Sequence, residues 1–140
     1  MTEICVIWLA LPDGKVALQR RDKNTNISAG LLSLFGGHVE AGETPDEAMR
    51  RELAEETSLN VPSLNISRVT NVELPHPNDP AITRMVYIYR TAIDSDDFEV
   101  FEGEGSETYS IADLKERQDL GSSLMYVMVH FKDLHLGSLV

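Results

Sequence analysis

The feature that most constrains the fold of this chain is a helix start at Thr44. Thr44 is a favourable N-cap residue, a proline follows it at the first helical position, and Glu47 can complete a capping box. These signals predict a helix over residues 45–57. Met49 and Leu53 lie one helical turn apart, so we expect one side of this helix to pack on a sheet.

Three glutamates share one side of the predicted helix. At 100° per residue, Glu52, Glu55 and Glu56 fall within an arc of about 100°. Repulsion between the carboxylates of Glu52 and Glu56, one helical turn apart, destabilises the helix by about 0.2–0.5 kcal/mol. The helix dipole disfavours each anion near the C-terminus by about 0.3–1 kcal/mol. A divalent cation would reverse the sign of these terms. A solvated glutamate-rich surface is the alternative, and the spacing alone does not choose between them.

The segments around the helix predict one mixed α/β domain. Apolar runs rich in Val, Ile and Tyr alternate with turn residues such as Pro12-Asp13-Gly14, which is typical of strands joined by loops. Strands are predicted at 4–11, 16–19, 31–35, 66–74 and 84–93, loops at 75–80 and 94–107, and C-terminal helices at 111–120 and 123–134. No repeat or linker interrupts the sequence, so we expect a single domain over residues 1–140.

Charge restricts the classes of partner. The chain has 23 acidic and 12 basic residues, a formal net charge of −11 at pH 7. This charge repels nucleic acid polymers and anionic membranes, so neither is an expected partner. An anionic ligand would need a bridging cation. The only cysteine, Cys5, lies in an apolar run too short to span a membrane, and a cytoplasmic location is expected.

The segment from Gly37 to Leu59 resembles the signature of the Nudix hydrolase family and its MutT-like branch. That signature reads G-x5-E-x7-R-E-U-x-E-E-x-G-U, where U is a bulky aliphatic residue. Ser58 stands where the signature has glycine. The resemblance implies the Nudix fold, an α/β/α sandwich with a mixed β-sheet. The matching residues are Gly37, Glu43, Arg51, Glu52, Leu53, Glu55, Glu56 and Leu59.

The resemblance also implies an activity and a role for each matching residue. Nudix hydrolases cleave a diphosphate bond in a nucleoside diphosphate linked to another moiety, by attack of water on phosphorus with Mg²⁺, or Mn²⁺ as an alternative. The implied metal ligands are Glu52, Glu55, Glu56 and the Gly36 carbonyl. The implied catalytic residues, which orient or deprotonate the water, are Glu52 and Glu55, and the choice between them stays open. The implied structural residues are Gly37, Glu43 and Arg51.

Residues outside the signature complete the expected site. Arg20 and Arg21 are expected to bind substrate phosphates, although strand alternation lets only one of them point into the site. The family often adds a carboxylate from a distant loop. The candidates for it are Glu102, Glu104 and Glu107, and the sequence leaves the choice open.

Two positions depart from the common pattern of the family. If Ser58 keeps the left-handed conformation of the glycine it replaces, it costs about 1 kcal/mol. Phe35 stands where many members have proline, so the substrate of the commonest relatives does not transfer to this chain. A nucleotide-sensing module without catalysis is the alternative function, but such modules typically lose the glutamates that this chain keeps. The substrate and the oligomeric state stay open, with a homodimer as one option.

Overall fold

The computed structural model describes residues 1–136, which form a seven-stranded sheet with helices on both faces. The strands are β1 (Thr2–Ala10), β2 (Val16–Arg20), β3 (Leu32–Ser33), β4 (Phe35–His38), β5 (Ser67–His76), β6 (Asp79–Ala92) and β7 (Ser106–Tyr109). The helices are α1 (Pro45–Glu56), α2 (Ile111–Lys115) and α3 (Ser122–Val129), with a short 3₁₀ helix at Val61–Ser63. Residues 137–140 of the predicted domain lie outside the described residues.

The sheet is mixed and forks beside β1. Its main order is β3-β2-β1-β6-β5, in which β1 and β6 are parallel and the other neighbours are antiparallel. β6 occupies one edge of β1 along its whole length. On the other edge, β4 pairs with residues 4–7 of β1 and β2 pairs with residues 9–10. The sheet therefore divides between β4 and β2.

Alternation along β1 divides the core into two layers. Cys5, Ile7 and Leu9 face helix α1, whose Met49 and Leu53 are fully buried against the sheet. The opposite face of β1 packs against residues from α2 and α3. Burying a large apolar side chain stabilises the fold by about 1.5–3 kcal/mol. Helices on both faces of a mixed sheet confirm the predicted α/β/α sandwich.

The predicted start of α1 is confirmed. Thr44 Oγ1 accepts a hydrogen bond from the Glu47 amide at 3.1 Å, and the Glu47 carboxylate accepts one from the Thr44 amide at 2.9 Å. This reciprocal pair is the capping box. The helix ends at Glu56, one residue before the expected end.

The prediction of one strand over residues 31–35, ending before the glycine pair Gly36-Gly37, is wrong. Leu34 lies between β3 and β4, and both glycines lie inside β4, where Gly36 pairs with Val6 and Gly37 with Cys5. A Cβ atom on residue 36 would overlap the carbonyl oxygen of Cys5. Glycine thus lets β4 approach β1, rather than ending a strand.

Three other predicted boundaries also differ from the structure. The predicted loop at 75–80 is a tight hairpin, because β5 and β6 extend to His76 and Asp79 and leave two residues between them. The predicted acidic loop contains the start of β7, which pairs with β2. Helices α2 and α3 are shorter than predicted. None of the helices within residues 1–136 is long and apolar enough to cross a membrane.

Candidate active site

Arg51 is the centre of a hydrogen-bond network that joins α1 to the loop before it. Its guanidinium donates to both carboxylate oxygens of Glu43, at 2.6 and 2.9 Å, and to the carbonyl of His38 at 3.0 Å. It also donates to Glu52 at 3.0 Å and to Glu55 at 3.2 Å. The hydrogen bond from Arg51 lowers the pKa of Glu43 to about 2. These contacts suit the bracing roles predicted for Glu43 and Arg51.

The carboxylate of Glu52 lies against the backbone of Gly37. A Cβ atom on residue 37 would be 2.5 Å from one carboxylate oxygen of Glu52 and 2.6 Å from the other, far inside van der Waals contact. Glu52 therefore occupies its position because residue 37 has no side chain. Burial raises the pKa of Glu52, and the hydrogen bond from Arg51 opposes that shift.

Glu56 is the most deeply buried of the three glutamates. The residue is 2% exposed, and its Oε1 accepts a hydrogen bond from the amide of Gly36 at 3.0 Å. Burial, followed by the negative charges of Glu102 and Glu52, raises the pKa of Glu56 to about 8. A buried carboxyl with acidic neighbours is a candidate functional group, because folding alone disfavours it.

Hydrogen bonds hold the acidic segment that follows β6, residues 94–107, on both sides of Glu102. The amide of Phe101 donates to the carbonyl of Glu56 at 2.8 Å. On the other side, the Gln19 side chain donates to the carbonyl of Glu102 at 3.0 Å, and the amide of Glu104 donates to the carbonyl of Arg20 at 2.9 Å. These bonds fix the backbone on both sides of Glu102.

Glu102 is the loop carboxylate that lies at the site. It lines the same cavity as Glu52, and its charge raises the pKa values of both Glu52 and Glu56 after the larger effect of burial. Glu107 instead accepts hydrogen bonds from Arg20. Glu104 is exposed and does not line this cavity. Of the three candidate carboxylates, Glu102 is therefore the one that lines this cavity.

Arg20, the last residue of β2, and Arg21, which follows it, point in different directions. Arg20 donates to both oxygens of Glu107, at 2.7 and 2.8 Å, and to Asp119 at 2.9 Å. Arg21 lines the cavity with Glu52, and its own contacts are to the carbonyl of Ile27 and the hydroxyl of Thr25. Of the pair predicted to bind substrate, only Arg21 has a position that suits this role. Ion pairs with two carboxylates hold Arg20 elsewhere.

The expected strain at Ser58 is absent from the structure. Among residues 1–136, the non-glycine residues with positive φ are Ser28 and His135, and α1 ends on an extended Thr57. Ser58 joins the acidic segment to the helix end, since its hydroxyl accepts from the amide of Glu99 at 2.8 Å and its amide donates to the carbonyl of Glu99 at 3.0 Å. The position is an anchor rather than a left-handed cap.

The carboxylates of Glu52, Glu56 and Glu102 have the chemistry that a hard divalent cation prefers. These negative charges repel one another, and a bound Mg²⁺ would neutralise them. The Glu55 side chain is 60% exposed and forms an ion pair with Arg51. Within residues 1–136, no three His, Cys, Asp or Glu side chains are already arranged to hold an ion, so binding would require these side chains to converge. The role of the Gly36 carbonyl stays a prediction.

A cavity of about 290 Å³ extends from these carboxylates across the sheet face that packs on α3. Glu52, Glu102 and Arg21 line it beside the glycines of β4. Arg84, Ser33 and the first residues of α3 also line it. The sequence prediction missed Arg84. Its signal was a charged residue that shares a strand face with the buried apolar residues Val86 and Ile88.

Known proteins share this chain's sequence pattern and fold. A family model described as a NUDIX domain matches residues 2–127. The oxidized purine nucleoside triphosphate hydrolase of Danio rerio is 30% identical over 107 residues, which cover 76% of this chain and 61% of that protein. This chain thus spans less than two thirds of the length of that relative.

Solved structures agree in fold at lower sequence identity. The MutT protein from Methanosarcina mazei Go1 superposes with a TM-score of 0.81 at 17% identity, covering 96% of this chain and 95% of that one. The NUDIX domain of Shewanella oneidensis NrtR, solved with ADP ribose, gives a TM-score of 0.74 at 18% identity and covers 94% and 86%. These structures show that the fold is the same. The family match over residues 2–127 shows that the chain belongs to the Nudix hydrolase family.

Proposed function

We propose that the protein is a Mg²⁺-dependent hydrolase that cleaves a diphosphate bond in a nucleoside diphosphate linked to another moiety. The observation that carries this proposal is that Glu52 and Glu102 line one cavity with Arg21, and that burial, followed by the charges of Glu102 and Glu52, raises the pKa of Glu56. The name of the Danio rerio relative includes a nucleoside triphosphate, and the NUDIX domain of Shewanella oneidensis NrtR was solved with ADP ribose. A small nucleotide is therefore the proposed substrate class.

The proposed roles follow from the surroundings of each side chain. Glu52 and Glu56, with Glu102, would hold the cation, and Glu55 would join them by leaving its exposed ion pair with Arg51. When bound, Mg²⁺ supplies charge neutralisation and lowers the pKa of water. Arg51 restrains Glu52 through a hydrogen bond of 3.0 Å. Glu52 or Glu55 would accept the proton of the attacking water.

Arg21 is the proposed phosphate-binding residue. Its Nε and one terminal nitrogen are held by the Ile27 carbonyl at 2.8 Å and the Thr25 hydroxyl at 3.2 Å. Both contacts are to neutral groups. Burial raises the pKa of Glu56, and the positive charge of Arg21 opposes that shift. A charge held in place in this way is suited to an anionic substrate.

A substrate screen tests the proposal. Purified protein is incubated with nucleoside triphosphates, dinucleotide cofactors and nucleotide sugars in Mg²⁺ or Mn²⁺, and products are identified by mass. We expect a diphosphate bond to be cut, with activity abolished by EDTA and lost in Glu56→Gln and Glu55→Gln. Asp119→Asn is the matched control, because Asp119 binds arginines away from the cavity.

Two outcomes would contradict the proposal. Full activity in both Glu55→Gln and Glu56→Gln would exclude this site as the source of hydrolysis. Tight nucleotide binding without turnover across the panel would instead favour the nucleotide-sensing module, the other function compatible with this fold.

A further inference from the structure

Arg84 is a buried arginine in the wall of the active-site cavity. It lies on β6 opposite Thr2 of β1, and the residue is 5% exposed. Its Nε is buried and has no hydrogen-bond partner among residues 1–136. Burial lowers its pKa, and no acid among those residues offsets this shift. Folding disfavours an unpaired buried guanidinium, so Arg84 is a candidate for binding a group that enters the cavity.

The sheet surface beside Arg84 is apolar. Ile4 pairs with Val86, which lies two residues from Arg84 on the same face of β6. Ile4 and Val6 of β1 line the cavity next to it. A phosphate would turn most of its charged oxygens toward these apolar side chains, which costs free energy. A flat ring suits this surface better, provided that its edge accepts hydrogen bonds from Arg84.

Two loops border the same end of the sheet. Pro77, in the turn between β5 and β6, and Ile27, in the loop between β2 and β3, both line the cavity. The turn and the loop are in contact, since the side chain of Asn78 donates to the carbonyl of Asn26 at 3.0 Å. Arg84 lies in the first half of β6, the strand that leaves this turn. Apolar side chains from the sheet and from both loops therefore surround the space at Arg84.

Arg84 is well separated from the carboxylates. Gly36 of β4 pairs with Val6, and Val6 pairs with Ile88, four residues beyond Arg84 on β6. Two strand spacings across the sheet and four residues along β6 place the backbones of Gly36 and Arg84 about 16 Å apart. Glu52 lines the cavity beside Gly36. A ligand whose diphosphate lies at the carboxylates therefore reaches Arg84 with the far end of one of its two moieties.

The guanidinium of Arg84 can distinguish purine bases by the type of hydrogen-bonding group at their edge. It has five N–H donors and no acceptor. Guanine presents two adjacent acceptors, O6 and N7, which match this fork, and hypoxanthine shares them. Adenine presents an N6 amino donor at the same edge. An adenine ring would therefore bring donors against donors and leave the guanidinium unsatisfied.

We propose that Arg84 recognises the base of the substrate and that the protein prefers nucleotides of guanine or hypoxanthine over those of adenine. This inference rests on the proposed function, which makes the cavity the substrate site. The ring lies against Ile4 and Val6 and presents O6 and N7 to the guanidinium. Arg84 is then a specificity-determining residue, because an adenine nucleotide leaves its buried donors unpaired.

Two nucleosides that differ at this edge test the base site without hydrolysis. Inosine and adenosine are titrated into the protein in EDTA, and binding is followed by NMR at the backbone amides of β6 and at the Nε–H of Arg84. Neither nucleoside carries a phosphate, so the charge of the carboxylates does not oppose binding. We expect inosine to bind at least about fivefold more tightly than adenosine, which is the lower range for a bidentate contact to a base.

Three variants separate base recognition from general electrostatics and from misfolding. Arg84→Gln should remove the preference for inosine, and its amide can in addition pair with N6 and N7 of adenine. Arg84→Lys keeps donors for O6 and N7 and should retain the preference. Arg68→Gln removes a positive charge from the opposite face of the sheet, where Arg68 binds Asp46, and should leave the preference unchanged. Circular dichroism verifies that each variant is folded.

The two proposals fail in different ways. The base site is overturned by equal or tighter binding of adenosine to the unmodified protein, by no saturable binding of either nucleoside, or by an inosine preference that survives in Arg84→Gln. If no compound in the panel is hydrolysed while inosine binds through Arg84, the proposed function fails and the base site remains. If nucleoside triphosphates are hydrolysed, the ratio of kcat/KM for GTP over ATP should fall at least about fivefold in Arg84→Gln.

Discussion

Glu43 and Glu56 both belong to the Nudix signature, and their carboxyl pKa values depart from that of an ordinary glutamate in opposite directions. The bidentate contact with Arg51 lowers the pKa of Glu43 to about 2, whereas burial beside Glu102 and Glu52 raises the pKa of Glu56 to about 8. The first carboxylate stabilises the loop. The second is a carboxyl whose ionised form the fold disfavours, which is expected of a group that binds a cation.

The same contrast separates two larger groups of acids. Glu107 and Asp119 have lowered pKa values, because arginines donate hydrogen bonds to them. Glu52 and Glu56 have raised pKa values, because burial dominates. The balance between burial and arginine contacts therefore distinguishes these acids, since at Glu52 burial outweighs the hydrogen bond from Arg51. The following predictions test this distinction, starting with the largest effect.

Glu52→Gln and Asp119→Asn should differ most in activity. Loss of a cation ligand should lower kcat by at least about 100-fold, since even residues that only support a ligand account for about 10–100-fold. Asp119→Asn removes a similar charge from an arginine-paired acid and should keep most of the activity. Hydrolysis rates at saturating Mg²⁺ measure both. Equal losses in the two variants would erase the proposed distinction.

Glu56→Gln should change the pH dependence of stability in metal-free buffer. The unfolded carboxyl ionises near pH 4.5 and the folded one near pH 8. Stability from the protonated form is therefore complete below pH 4.5 and is lost as the pH rises toward 8, by up to about 1.4 kcal/mol per pH unit. Denaturant unfolding from pH 5 to 8 should show a decline that Glu56→Gln lacks. A parallel decline in both proteins would contradict the raised pKa.

Arg20→Gln should affect the acid side of the stability curve. The pKa values of Glu107 and Asp119 are lowered, so the stability they contribute is present above their ordinary values, 4.5 and 3.8, and is lost as the pH falls below them. We expect a loss of about 2 kcal/mol at pH 7 that shrinks toward pH 3, measured by denaturant unfolding. A large rise in KM without this loss would show that Arg20 contacts substrate instead.

Ser58→Ala should have the smallest effect. It removes the hydroxyl that accepts from the Glu99 amide at 2.8 Å and should cost about 1 kcal/mol of unfolding free energy. Because this bond anchors the segment leading to Glu102, we also expect kcat to fall a few-fold. Ser58→Gly, which restores the residue of the signature, should show the same fall in kcat. Unchanged kcat in both variants would mean that Ser58 does not position Glu102.

Local signals predicted the parts of the molecule that depend on near neighbours in sequence. The capping box at Thr44, the packing of Met49 and Leu53, and the grouping of Glu52 with Glu56 all follow from helical geometry. The layer architecture followed from the family resemblance. These features required no knowledge of which distant segments meet.

Features that depend on distant contacts were missed. Two glycines ordinarily indicate the end of a strand, and only the approach of β4 to Cys5 explains why they lie inside one. The choice of Glu102 depends on hydrogen bonds to Gln19 and Glu56. Arg84 was overlooked because a single arginine at a strand position gives no sign of whether a partner faces it.

The pairing of β1 with β6 has a consequence for the way the chain folds. Thr2 is made long before its partner in the sheet, Arg84, and the register continues to Ala10 opposite Ala92. During synthesis, the most apolar strand therefore remains without its main neighbour until Ala92 has left the ribosome. Because contacts between residues so far apart in sequence form slowly, we expect nascent chains of this protein to depend on chaperones until β6 is complete.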